Sequence, residues 1–209
     1  MENKFAKVIS TLFHPVFLPL YCLLLLFNIK SSANFDFIFK AQLMLLAFVA
    51  VTTIIFPLLM IFLMKWQGYI QNYRMENHRD RLLPYLITAI FYFLAYNMFC
   101  RMQLHGIYIN YILGASIILV IIILISFGWK ISTHMAGIGG VFGMIISVSF
   151  SLSLDLMFPL MIITALAGII GYARLKLSAH KPAEVYIGFW VGAFVMICVY
   201  MMPAFFMKF

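Results

Sequence analysis

The sequence predicts an all-α protein: a polytopic transmembrane helical bundle with six or seven spans. Of its 209 residues, 66% are hydrophobic and only 10% are charged, whereas about a quarter of the residues of a soluble domain are charged. The long apolar runs are continuous rather than alternating, which favours helices over the strands of a β-barrel. The composition therefore excludes a soluble globular domain and indicates an integral membrane protein.

Candidate spans are stretches without Asp, Glu, Lys or Arg that approach or exceed the roughly 20 residues needed to cross the hydrocarbon layer. Seven such stretches occur: 8–29, 41–64, 82–100, 102–129, 131–154, 156–173 and 185–207. The first is the least regular, because Pro15 and Pro19 could make it re-entrant or interfacial. No small-residue cleavage site follows it, so we expect it to be retained.

Neither a repeat nor a long linker divides the chain, which predicts a single domain over 1–209. Small residues gather in "GIGGVFG" and "ALAGIIG", a pattern typical of helices that pack closely in lipid. Cys22, Cys100 and Cys198 each stand alone in an apolar run. We interpret them as small residues that face the core or the lipid.

The three most polar segments, around 65–81, 129–134 and 174–184, are separated from one another by two predicted helices each. In a chain that crosses the membrane back and forth, they therefore lie on the same face. The segments 30–40 and 101–105 lie on the other face, as does Asp155. We interpret His14, His78 and His105 as structural or interfacial.

The first polar segment is "RMENHRDR" (74–81). Its arginines are suited to a phosphate clamp because the planar guanidinium matches phosphate oxygens. The simpler alternative is a basic loop that flanks the membrane.

The second polar segment is "KISTHMAG" (130–137). Ser132 and Thr133 suit a helix N-cap, and the free amides of a helix start bind anions. His134 would lie in the first turn of that helix. A plain helix cap is the alternative.

The third segment is "ARLKLSAHKPAEV" (173–185). If Pro182 begins the last helix, His180 lies just before it and Glu184 lies in its first turn. The carboxylate would then fix one imidazole nitrogen and leave the other free to attack, as in an activated histidine nucleophile. The alternative is a polar connection with a charged pair.

Together these segments resemble the type 2 phosphatidic acid phosphatase superfamily. Arg174-x5-His180 followed by "KPAEVYIG" is similar to its third motif, Ser-Arg-x5-His followed by a carboxylate and a glycine. "ISTH" (131–134) is similar to Pro-Ser-Gly-His, and Arg74-x6-Arg81 is similar to Lys-x6-Arg-Pro. The resemblance runs from Arg74 to the C-terminus and predicts a phosphatase-like core at about 65–207. Six positions depart from the family pattern: Arg74, Leu82, Ile131, Thr133, Ala173 and Glu184.

The resemblance implies a metal-independent lipid phosphatase that works without a cofactor. His180 would attack phosphorus with Glu184 orienting it, and His134 would be the general acid. The phosphate-binding residues would be Arg74, Arg81, Ser132, Thr133 and Arg174. The implied substrate is a membrane lipid phosphate such as phosphatidic acid, phosphatidylglycerol phosphate, a polyprenyl diphosphate or a lipid A phosphate.

Two alternative interpretations of the function remain open. One is a non-enzymatic protein that binds or transports lipids or anions, and the other is an assembly subunit whose phosphatase-like site is inactive. No nucleic acid is expected as a partner. The expected location is a bacterial inner membrane with the site on the outer face, although the count of Lys and Arg does not decide the orientation.

Overall fold

The protein is described by a computed structural model that covers residues 2–29, 39–69 and 81–202. Its architecture within these residues is an all-α bundle. The helices are α1 (Glu2–Leu12), α2 (Leu18–Asn28), α3 (Phe39–Ala50), α4 (Phe56–Trp66), α5 (Leu82–Arg101), α6 (Gly106–Ser126), α7 (Thr133–Leu152), α8 (Met157–Lys176) and α9 (Pro182–Met201).

Seven helical stretches in the described residues are long and apolar enough to cross a membrane. This confirms the prediction of an integral membrane helical bundle. A helix satisfies its own backbone hydrogen bonds, which lipid cannot do, so continuous apolar runs of this length adopt it. Two of the seven stretches are each built from two helices: α1 with α2, and α3 with α4.

The first stretch is interrupted where the sequence places Pro15. His14 has an extended backbone and a short 3₁₀ helix follows at Pro15–Phe17, because a proline inside a helix removes a backbone donor and clashes with the preceding turn. The apolar run 8–29 is therefore two helices rather than one regular span. Of α1, only Ala6 and Ser10 are buried, and they face α8 and the start of α7.

The second stretch carries a π-helical turn, Val51–Ile55, between α3 and α4. Pro57 follows within one turn and cannot donate to the carbonyl of Thr53. A π-bulge is a common way to absorb such a defect. The Thr53 hydroxyl donates to the carbonyl of Val49 at 2.8 Å.

The centre of the bundle is α7, which packs most extensively against α9. A Cβ atom built on Gly139, Gly143 or Gly192 would overlap backbone atoms of the facing helix. The close packing predicted from "GIGGVFG" is thus confirmed. The expectation fails for Gly168 in "ALAGIIG", where an added Cβ atom would meet nothing within 4 Å.

This seam also fixes the helix ends that carry the polar residues. The Ser132 amide, just before α7, donates to the Glu184 carbonyl at 3.2 Å. Gly188, one turn further along α9, lies against the Ser132 carbonyl. The first turns of α7 and α9 are therefore held side by side.

Candidate functional site

A buried pair of a histidine and a carboxylate lies at the start of α9. His180 Nδ1 and Glu184 Oε2 are 2.7 Å apart, and both side chains are buried. A carboxylate oxygen only accepts, so Nδ1 carries the proton and the lone pair lies on Nε2. The helix does begin at Pro182, and the position of Glu184 in its first turn confirms the geometry predicted from the spacing.

Glu184 has a second partner. The Lys181 amide donates to the same carboxylate oxygen at 3.3 Å, which caps the start of α9. Because this bond ties the carboxylate to the backbone, the oxygen facing His180 is held in place. A carboxylate at a helix N-terminus is also stabilised by the helix dipole.

His180 is held in its neutral form. Burial lowers the pKa of the imidazole below its ordinary value, and the positive charge of Arg174 lowers it too. Together they outweigh Glu184, which acts in the opposite direction. A neutral imidazole with Nδ1–H bound to a carboxylate can act as a nucleophile through Nε2.

A second cluster is built around Ser10, the last buried residue of α1. Arg174 Nη1 donates to the Ser10 hydroxyl oxygen at 2.7 Å. His134 Nε2 donates to the Ser10 carbonyl oxygen at 3.0 Å, which places the proton of that imidazole on Nε2. The Glu2–Lys176 ion pair joins α1 and α8 on the same side of the bundle.

A cavity of about 580 Å³ adjoins this second cluster. Among the residues that line it are Arg81, Thr133, His134 and Arg174, which come from three separate polar segments of the sequence. The prediction that these segments lie together is therefore confirmed for these residues. His180 does not line the cavity, although it lies close enough to His134 for a charge on one ring to affect the other.

Polar atoms without a partner concentrate here. Among the described residues, four buried side-chain nitrogen or oxygen atoms have no hydrogen-bond partner: those of Ser132 (Oγ), His134 (Nδ1), Arg174 (Nε) and Tyr111 (hydroxyl). The first three belong to predicted site residues. Such atoms are rare in folded proteins because leaving them unpaired costs free energy. Those of His134, Arg174 and Tyr111 belong to residues that line the cavity.

Ser132 is not placed as predicted for a phosphate-binding side chain at the cavity. Ser132 is at the N-cap of α7, but its side chain makes no capping hydrogen bond, is fully buried and does not line the cavity. Arg74 lies outside the described residues, as does His78. Its place in the site stays a prediction, as does the phosphatase-like core at about 65–207.

Sequence reasoning missed the contribution of α1. Ser10 was not singled out, and His14 was interpreted as structural or interfacial. His14 lines the cavity, and its ring meets that of His134 edge to face with centroids 5.3 Å apart. The sequence does carry a sign of this contribution: the polar residues Ser10, Thr11 and His14 stand immediately before Pro15, inside an otherwise apolar run.

His105 lies away from the site. It is the N-cap of α6, at the opposite end of that helix from the cavity residue Ile122. Burial lowers the pKa of His105. Within the described residues, no group of three or more His, Cys, Asp or Glu side chains is arranged to hold a metal ion.

Comparison of the chain with protein-family models, with characterised proteins and with solved structures found no match. The interpretation of the site rests on its own geometry.

Proposed function

We propose that this protein is an integral membrane lipid phosphatase that hydrolyses a phosphomonoester or diphosphate of a membrane lipid through a phosphohistidine intermediate. The observation that carries the proposal is the buried His180–Glu184 pair at 2.7 Å, which leaves Nε2 of His180 with its lone pair. Arg174 and His134 on neighbouring helix ends supply the positive charge and the proton that phosphoryl transfer requires.

In the first step, His180 Nε2 attacks phosphorus and forms an N–P bond. The bond between phosphorus and the leaving oxygen breaks, and that oxygen takes the Nε2 proton of His134, which acts in its doubly protonated imidazolium form and becomes neutral. The leaving group departs as a lipid alcohol or lipid phosphate. Glu184 stabilises the positive charge that develops on His180, because its carboxylate accepts the Nδ1 proton in a short hydrogen bond.

In the second step, water attacks the phosphohistidine and the N–P bond breaks. Neutral His134 takes the proton of the water and becomes an imidazolium again, ready for another turnover. Inorganic phosphate leaves, and His180 is again neutral. Atoms and charge balance without a metal ion or a redox partner.

The phosphoryl oxygens need donors that are fixed before the reaction. Arg174 offers Nε, which has no partner, and Nη1, which Ser10 now occupies. Arg81 and Thr133 line the adjoining cavity, and the Ser132 hydroxyl lies unpaired behind the start of α7. Arg74 is included on the strength of its spacing from Arg81. For phosphoryl transfer, the phosphate of the substrate must replace the Ser10 hydroxyl as the partner of Arg174 Nη1.

The substrate is a lipid because the site adjoins an apolar cavity in a membrane bundle. We place the protein in a bacterial inner membrane with the site on the outer face, in keeping with the family resemblance of the three polar segments.

One observation favours a second function, a non-enzymatic protein that binds or transports lipids or anions. The His180 side chain is only 1% exposed and lies outside the cavity lining, while Ser10 engages both His134 and Arg174. A protein that only binds a lipid headgroup would need the arginines and not an accessible His180.

The test is the release of inorganic phosphate from purified protein in detergent, with a panel of lipid phosphates and diphosphates, each with and without EDTA. The His180→Ala variant is compared with His105→Ala, which removes an imidazole at the opposite end of α6. Release that resists EDTA, disappears in His180→Ala and persists in His105→Ala supports the proposal. Absence of release by folded wild-type protein that still binds the lipids overturns it in favour of the binding function.

A further inference from the structure

The cavity beside Arg174 continues deep into the bundle. Its outer part is formed by polar and charged residues such as Arg81, His134 and Arg174, and its inner part is formed by α2, α5, α6, α7 and α9. The lining of the inner part is mainly apolar, with Ile118, Leu119 and Met196 among its residues. The cavity thus has one cationic end and one hydrocarbon end.

Its depth follows from the helices that line it. On α6 the lining runs from Ile122, near the polar end, to Tyr111. At 1.5 Å per residue these positions are about 16 Å apart. This is close to half of the roughly 30 Å hydrocarbon core of a bilayer, so the cavity is about as deep as one lipid leaflet.

The inner end is closed by aromatic side chains. Tyr92 and Tyr111 line the cavity there and are 4% and 1% exposed, which makes them a fixed floor. At the side, Leu58 of α4 lines the same cavity and is 45% exposed on the outer surface of the bundle. The cavity therefore adjoins the surface that faces lipid.

The volume of the cavity limits the size of the ligand that it can hold. About 580 Å³ lies within the range of pockets that enclose one small ligand, roughly 300–1,000 Å³. A chamber of one-leaflet depth and this volume suits one extended hydrocarbon chain.

We propose that this cavity binds the single hydrocarbon chain of a single-chain lipid phosphate, with the phosphate at Arg174 and the chain end against Tyr92 and Tyr111. The identity of the headgroup rests on the proposed function. The chain-binding role of the cavity stands on its depth, its apolar lining and its closed floor. A hydrocarbon chain longer than the distance from Arg174 to Tyr92 and Tyr111 fits poorly. The cavity therefore selects the length of the hydrocarbon chain as well as the number of chains.

The first experiment needs no turnover. Hexadecyl phosphate with a diazirine near the end of its chain is photolysed on wild-type protein in nanodiscs, and labelled peptides are mapped by mass spectrometry. Labels on α5 and α6 near Tyr92 and Tyr111, competed by unlabelled hexadecyl phosphate and not by butyl phosphate, support the proposal. Labels confined to outward-facing residues such as Val120 overturn it.

The second experiment narrows the cavity. Ala115→Phe places a ring between Ile122 and Tyr111, while the control Val120→Phe adds the same ring on the exposed side of α6. Each buried methylene contributes about fourfold to affinity, so loss of two weakens hexadecyl phosphate binding about 15-fold. Equal affinity of the two variants for hexadecyl phosphate overturns the proposal.

The outcomes separate the two proposals. Chain-end labelling without phosphate release from any substrate would leave the lipid-chain cavity standing and overturn the phosphatase function. Phosphate release together with labelling confined to the outer surface would support the phosphatase function and overturn the lipid-chain cavity. If Ala115→Phe does not fold, the labelling of wild-type protein still decides the question.

Discussion

The charge of Glu184 is the feature of the site whose effect can be worked out most directly. Glu184→Gln keeps the size of the side chain and an oxygen that can accept from the Lys181 amide or from His180 Nδ1. It removes the negative charge that lies 2.7 Å from His180 Nδ1. A hydrogen bond to a charged group contributes about 1.5–3 kcal/mol. If this contribution is realised only as positive charge builds on His180, kcat falls by about 10- to 100-fold.

The pH profile gives a second readout. Glu184 raises the pKa of His180, whereas burial and Arg174 lower it to a net value below the ordinary one. Since only neutral His180 attacks, activity is present above this pKa and is lost as pH falls through it. The acidic limb of kcat/KM therefore lies below pH 6.5. Removing the Glu184 charge lowers the pKa further, so the limb moves to lower pH in Glu184→Gln.

The assay is phosphate release from one lipid phosphate, measured over a pH series for wild type and variant, so that the ionisation of the substrate itself cancels. The matched control is Asp155→Asn, because Asp155 Oδ1 accepts from the Met157 amide at 3.0 Å and caps α8 at the other end of the bundle. A wild-type kcat and an unmoved acidic limb in Glu184→Gln would show that Glu184 is only a helix cap, which refutes the reasoning.

Two further predictions concern the arginine and the helix seam. Arg174→Lys replaces a planar fork by a point charge and removes the unpaired Nε, so we expect KM for the lipid phosphate to rise several-fold in steady-state assays. An unchanged KM would contradict a phosphate-binding role. Gly192→Ala places a methyl group against the Ala136 carbonyl, so it should lower the thermal midpoint measured in detergent. The control Gly168→Ala meets nothing within 4 Å and should leave the midpoint unchanged or raise it, because Gly is the poorer helix former.

Much of the fold follows from the sequence for a simple reason. In lipid the backbone has almost no alternative to the helix, so the apolar runs locate the spans directly. The His180–Glu184 contact was also predictable, because Pro182 sets the start of α9 and places Glu184 in its first turn, close to the residues that precede the helix. Contacts of this kind depend on local geometry alone.

The role of α1 could not be predicted in the same way. Ser10 meets His134 across 124 positions of sequence, and the contact depends on the break at Pro15, which redirects the chain after α1. Proline shows that a helix is interrupted, but not where the preceding helix then packs. α1 packs against α8, and the buried residues of α1 are Ala6 and Ser10. Small residues of this kind are common in apolar runs.

The contacts of Ser10 also bear on how the proposed site would admit its substrate. Ser10 offers a neutral hydroxyl to Arg174 and a neutral carbonyl to His134, and Arg174 Nε and His134 Nδ1 remain unpaired. A phosphate is charged and can accept two parallel bonds from the guanidinium fork, whereas the Ser10 hydroxyl is neutral and accepts one. A phosphate that reaches Arg174 therefore replaces a weaker acceptor and can pair Nε as well. The bond from His134 goes to the backbone carbonyl of Ser10 rather than to its side chain, so the proposed general acid is released only if α1 moves as well.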